Sequence, residues 1–384
     1  MAKAFPQFSK HEYARRKKAL RDLMEQNSID LVVISGGRGE VANLYYWTHY
    51  NASSKSYFLT GDGKVGTLLV GHYNHIPTAK AMSIVDRIEW TTHAHTKKIV
   101  DSVSQMLGNK KSAKVGFIGN PPYEAVDQLR SKLGYNVVNL TKQANEIRAL
   151  KSFEEIEWLK EGARLTDLAA KAIEDELRPG MTEFDISDII ERSYTREGGT
   201  TRIHYLASTT MKSPKISVPA QQQFGRKLLR GDVILTEISA EYYGYAGQLH
   251  RPITMIDSPT GEYMKLYNVA LDAYERVFQI LRDGVTSQEI TKIADKAIVE
   301  KGYTICDSLA HGFGVDLMHP DVGTSNSVYE ETGYVFKENM AVVIQPNPIT
   351  KDEKFGVQLG NLCLVGKKRS RCLQKYPLRL ITVR

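Results

Sequence analysis

In GYAGQLHRPIT (residues 244–254) a neutral amide, Gln248, stands two residues before an imidazole, His250. Side chains two apart on a strand point to the same side, so the pair can share one pocket. An imidazole takes up and releases a proton near neutral pH, which suits general acid–base catalysis. A primary amide has both donor and acceptor atoms and suits recognition of a neutral or anionic polar group. Further candidates of the same chemistry are Glu237 in VILTEIS, His311 in AHGFG, His319 in LMHP, His204 in TRIHYLAS and Gln345 in VIQPN. A carboxylate such as Glu237 can orient a neighbouring imidazole and favour its protonated form. His319 also fits a hydrogen-bonded structural role.

These residues need elements to bring them together. At 384 residues the chain has room for about two domains. Its 42% apolar and 25% charged content is that of a globular protein. Three cysteines, Cys306, Cys363 and Cys372, are too few for a disulfide framework or a CxxC metal site, which points to a reducing, cytoplasmic setting. The first twenty residues hold no apolar run, so neither a signal peptide nor an anchor is expected. No later segment approaches the ~20 apolar residues of a membrane span. A net charge of +7 permits an anionic partner without requiring one. The basic run Lys367-Lys368-Arg369-Ser370-Arg371 has no interleaved aromatics and reads as a solvated turn, so nucleic acid is not an expected partner.

From residue 10 to 147, apolar runs (IDLVVIS, KVGTLLVG, KVGFIGN, NVVNL) alternate with helix-length segments, the pattern of an α/β layer with parallel strands. GGRGE at 36–40 lacks G-x-G-x-x-G spacing and reads as a plain turn. The aromatic stretch NLYYWTHYN (43–51) reads as packing or as a subunit contact. A second domain begins near residue 148, where Ser152 and Glu155 form a capping-box pattern ahead of a long amphipathic helix. Within it, LRPGMTEFDISDII (from 177) and LRDGVTSQEITKIA (from 281) share Leu, Arg, Gly, Thr and two Ile at an offset of 104 residues. Equal spacing of helix-ending Gly and helix-capping Thr predicts a duplicated αα-β unit with a cleft between its copies.

RPGMTE, GDVIL, AEYYGY, HGFG and the run Gly356 to Val365 resemble the pita-bread superfamily of Xaa-Pro aminopeptidases, methionine aminopeptidases, prolidases and creatinase. The resemblance implies an α/β protein: an N-terminal creatinase-like α/β domain over 1–147, then a pita-bread domain with internal pseudo-twofold duplication over 148–384. In that family two aspartates, a histidine and two glutamates hold two metals. The matching positions here are Glu237, Gln248, His311, Gln345 and Gly360, with one formal negative charge among them. Hard or borderline cations need anionic or imidazole ligands, so no metal and no cofactor are expected. A single zinc on Glu237, His250 and His311 is the remaining metal option.

Creatinase is the branch that works without metal. The expectation is therefore a metal-independent, creatinase-like hydrolase of a C–N bond in a small polar molecule. His311 or His250 would be the acid/base and Glu237 the orienting carboxylate, while Gln248, Gln345, His204 and His319 would bind substrate. Alternatives are a non-catalytic pita-bread binding protein, an Xaa-Pro aminopeptidase-type metallopeptidase with an atypical site, and a lyase. Family likeness further implies a homodimer whose cleft is completed by the partner's N-terminal domain, with NLYYWTHYN as the contributing stretch.

Overall fold

The computed structural model describes residues 5–108, 110–329 and 333–384. The chain divides into two units, Met1–Arg148 and Ala149–Arg384. In the first, helix α1 (Lys10–Gln26) starts at Ser9, whose hydroxyl accepts the Glu12 N–H, the usual N-cap exchange. Strand β1 (Leu31–Gly36), helix α2 (Ala42–Thr48), strands β2 (Ser56–Thr60) and β3 (Gly66–Val70), helix α3 (Ile76–Met82) and strand β4 (Arg87–Trp90) follow. Then come α4 (His95–Leu107), β5 (Lys114–Ile118), α5 (Tyr123–Ser131), β6 (Asn136–Asn139) and α6 (Thr141–Ala149).

The six strands form one sheet in the order β4-β3-β2-β1-β5-β6. Strands β1, β5 and β6 run parallel, as do β3 and β4, but β2 is antiparallel to both of its neighbours. The expected all-parallel layer is thus a mixed one. The cause is local: the Asp62 carboxylate accepts the N–H groups of Lys64 and Val65 at 2.8 and 2.9 Å, folding the chain into a hairpin with no crossover helix. Leu31 and Val33 enter one apolar cluster and Val32 and Ile34 the other, which is why β1 is apolar without alternation. Residues 42 to 50 are all buried, with Leu44, Tyr46, Trp47 and Tyr50 in this unit's core, and Asn51 is exposed.

The second unit runs α7 (Phe153–Glu176), α8 (Glu183–Thr195), β7 (Gly199–Thr210), β8 (Asp232–Tyr242), β9 (Tyr245–His250), β10 (Ile253–Met255), α9 (Gly261–Ile280) and α10 (Ser287–Ala297). Short strands follow: β11 (Thr304–Ile305), β12 (Ala310–Gly312), β13 (Met318–Val322), β14 (Ala341–Ile344), β15 (Pro348–Ile349), β16 (Gly360–Leu364), β17 (Arg371–Cys372) and β18 (Ile381–Val383). The repeat seen in sequence is a repeat of structure. Gly180 and Gly284 take left-handed φ values of 89° and 86°, and Thr182 and Thr286 each open a capping box, with Asp185 and Glu289 reaching back. The sheet order is β13-β12-β14-β16-β9-β8-β10-β18, with β7 on β8 and β17 on β16. Helices α7 and α8 bury Leu165, Ile173, Ile186 and Ile190 against Ile238 and Leu249 of the sheet, each worth about 2 kcal/mol or more. Helices α9 and α10 bury a second cluster against Val342, Ile344 and Cys363.

Where α7 crosses β9 the two backbones touch. A Cβ at Gly162 would lie 2.5 Å from the Tyr245 carbonyl oxygen, and one at Gly247 would lie 2.4 Å from the Gly162 oxygen. Only glycine at both positions lets the helix rest on the strand. This contact fixes the height of β9, and with it Gln248 and His250. Among the described residues no helix is long and apolar enough to cross a membrane.

Candidate functional site

Five adjacent strands, in the order β12-β14-β16-β9-β8, bring the candidates together. Register pairs Ile238 with Leu249 and Ser239 with Gln248. Ile238 and Leu249 face the α7/α8 core, so Glu237, Ser239, Gln248 and His250 share the opposite face. His311 is the middle residue of β12, Gln345 follows β14, and Gly360 opens β16 directly opposite His250.

The hydrogen bonds differ from those expected. Glu237 accepts the Gln248 amide N–H at 2.8 Å and a further bond from Gln358. It does not orient a histidine. Burial, and then the charge of Asp307, push its carboxyl up to about 8, while the Gln358 bond opposes them; at neutral pH the group is mostly protonated. Gln345 donates to Asp307 Oδ2 at 3.1 Å and to the Ser308 carbonyl at 3.0 Å. These two acceptors fix the amide so that its oxygen faces His311 Nε2 at 3.3 Å. His311 Nδ1 lies 3.1 Å from the Gly312 carbonyl. Both ring nitrogens thus face acceptors, and a neutral ring can donate to only one.

His250 is fully buried, and among the described residues neither ring nitrogen has a hydrogen-bond partner. Burial, and then the charges of His311 and Arg251, hold it well below the usual imidazole range, so it is neutral. Gln248 Oε1 and Ser239 Oγ, on the same face, are likewise buried and unpartnered among the described residues. Arg251 points away and braces the site from behind. Its guanidinium donates to the carbonyls of His250, Gly360, Tyr376 and Pro377 and to Asn361 Oδ1, at 2.7–3.1 Å.

One candidate lies away from this face and another is exposed. His204 sits opposite Ile238 on β7, on the core-facing side, and pairs with the Tyr194 hydroxyl at 2.7 Å. Burial lowers it to about 4, so it is a packed structural group and not part of the cluster. His319, on β13, is exposed whereas the cluster is buried. Sequence reasoning missed Asp307, Gln358 and Asn347. Asn347 ties the loop to the sheet end: its oxygen accepts the N–H groups of Cys306 and Asp307, and its amide donates to the Ser308 and Gln345 carbonyls. Gln358 precedes Gly360 by two, a strand-alternation signal; Asp307 lies in a loop with no periodicity to flag it.

The profile of the Creatinase/Prolidase N-terminal domain matches residues 16–150, and that of Metallopeptidase family M24 matches 157–367, more than half of the chain. The chain belongs to metallopeptidase family M24. It is 25% identical over 372 residues to the Xaa-Pro dipeptidase of Pyrococcus furiosus, covering 95% of this chain and 99% of that relative. It is also 25% identical over 371 residues to the Xaa-Pro dipeptidase of Pyrococcus horikoshii, covering 95% and 98%. In fold this M24 chain is similar to the prolidase from Pyrococcus horikoshii (TM-score 0.79, 24% identity, 96% of this chain and 99% of that one). The X-Pro aminopeptidase from Thermotoga maritima is similar as well (TM-score 0.81, 21% identity, 96% and 99%). These findings overturn the expectation of a metal-independent, creatinase-like hydrolase. These two Pyrococcus relatives are named Xaa-Pro dipeptidase, and the family is one of metallopeptidases.

The metal centre that M24 membership implies does not fit these side chains. Gly360 has no side chain, and a Cβ there would lie 2.4 Å from the Ile344 carbonyl oxygen and 2.9 Å from His250 Nδ1. The Gln345 amide occupies His311 Nε2. Among the described residues no three His, Cys, Asp or Glu side chains are grouped closely enough to hold an ion, which also corrects the single-zinc option on Glu237, His250 and His311.

Proposed function

We propose that this M24 member acts on the C–N bond of short Xaa-Pro-type peptides, at an atypical site centred on Glu237, Gln248, His311 and Gln345. The observation that carries the reading is a buried acid beside a second, half-buried one: burial, and then the charge of Asp307, push Glu237 up to about 8. Such a place lacks a positive charge. The α-ammonium of a peptide supplies one, and its arrival returns Glu237 to the carboxylate. Gln248 Oε1 and the neutral ring of His250, unpartnered among the described residues, then accept N–H groups of the bound peptide. His311 meets it through Nε2 in exchange for Gln345.

A second reading, peptide binding without turnover, is favoured by the neutral groups at 248, 345 and 360. One experiment separates the two. Purified protein is incubated with Ala-Pro and Gly-Pro, with and without Mn²⁺, and free proline is quantified while calorimetry reports binding. Proline release that falls about 100-fold or more in Glu237→Gln supports hydrolysis. Saturable binding without release supports the second reading. Neither binding nor release, in either condition, overturns both.

A further inference from the structure

Behind the site, β17 lies against β16 with Cys372 directly opposite Cys363. The Leu373 N–H donates to the Leu362 carbonyl at 2.9 Å, one residue outward on each strand, which makes the two cysteines a non-hydrogen-bonded pair. Pairs of that kind bring Cα atoms to about 4.5 Å with side chains on one face. A disulfide spans Cα separations of about 4.4–6.8 Å. The two thiols interact with each other; Cys363 Sγ donates to the Asn361 carbonyl at 3.8 Å and Cys372 Sγ to the Gln374 carbonyl at 3.4 Å, and the Tyr274 hydroxyl lies 3.5 Å from Cys363 Sγ.

The pair is unequal. Cys363 is buried and Cys372 partly exposed. The interaction with Cys363 holds Cys372 below the usual thiol range; burial opposes it, and the Gln374 backbone and the charge of Arg251 assist it. Burial pushes Cys363 well above that range. The exposed partner is therefore the better nucleophile and the buried one the resolving thiol.

We propose that Cys363 and Cys372 form a thiol–disulfide exchange site that accepts low-molecular-weight disulfides, such as oxidised glutathione, and closes to a cross-strand disulfide. The Cys372 thiolate attacks one sulfur of RS–SR; a Cys372–SR bond forms and RS⁻ leaves, taking up the proton that Cys372 gave to water. Cys363, after losing its proton, attacks the Cys372 sulfur; the protein disulfide forms and a second RS⁻ leaves and is protonated. Two protein thiols lose two electrons, and one RS–SR becomes two RSH. The bond would form three residues from Gly360 on the same strand. Tyr274 accepts from Asn361 at 3.4 Å, and Asn361 accepts from Arg251 at 2.8 Å, so the pair adjoins the brace behind His250.

The test uses folded, full-length protein equilibrated at a series of oxidised-to-reduced glutathione ratios, acid-quenched, alkylated and mapped by mass spectrometry. A Cys363–Cys372 cross-linked peptide should rise with the ratio, while the exposed Cys306 stays outside the link. In Cys363→Ser the glutathione adduct should persist on Cys372, and in wild type Cys372 should alkylate at least about tenfold faster than Cys363. Absence of the link at every ratio, or a link found only in denaturant, overturns the proposal, as does an adduct confined to Cys306 in Cys363→Ser.

Discussion

Glu237 gives the chain a pH signature of its own. The unfolded carboxyl loses its proton near 4.5 and the folded one near 8, so between those values the folded state holds the extra proton. Stability from this group therefore falls as pH rises through the window, by at most about 1.4 kcal/mol per unit. His250, with a depressed folded value, acts in the opposite sense below its ordinary value of 6.5. Urea titrations from pH 6.5 to 8 isolate the carboxyl: wild type should lose about 1–2 kcal/mol more than Glu237→Gln, and equal slopes would show an unperturbed group. Gly360→Ala should cost about 1–3 kcal/mol. His250→Ala should not rescue it, because two of the three close atoms, Ile344 O and Gln345 Cα, are backbone; an unchanged denaturation midpoint would refute the clash. At this scale the sequence revealed residue types and strand faces, since alternation alone puts Gln248 with His250. It did not reveal that Glu237 would choose an amide over an imidazole, because that choice depends on cross-strand register and on Gln358 arriving from the segment ahead of β16.

Elements were more legible than contacts, because their signals are local. The capping boxes at Ser152, Thr182 and Thr286 all form. Thr182→Ala and Thr286→Ala should each lose about 1 kcal/mol, and a large disparity in thermal unfolding would show that the two copies are not equivalent supports. Strand β2 escaped notice because SYFLT is short and its partner β3 returns through an Asp62 turn, not through a helix. The brace on β9 was legible only in part: alternation turns Arg251 away from His250, but its acceptors come from residues 360, 361, 376 and 377. Arg251→Met leaves those carbonyls without a donor and should cost about 3 kcal/mol or more. Near-native stability by chemical denaturation would show that the bonds are replaced by others.

Across the whole molecule, a chain only 25% identical to the Xaa-Pro dipeptidase of Pyrococcus furiosus keeps similarity along 95% of its length, while the polar face between its strands carries amides and a glycine. Apolar spacing and turn residues specify a fold redundantly, so many substitutions preserve it; a set of ionic ligands has no such redundancy. With no three-donor group among the described residues, dialysis against a chelator should leave the melting temperature within about 1 °C, since an ion stabilises only in proportion to its affinity. A drop of several degrees, reversed by Mn²⁺, would reveal a donor set beyond those residues. The glycine that opens β16 also bears on descent. Because the room for any side chain at 360 is taken by the end of β14 and by the His250 ring, a carboxylate does not fit there by one substitution. It needs a coordinated retreat of strand end and imidazole, so in mutational terms the position works as a ratchet, easy to enter and closed behind.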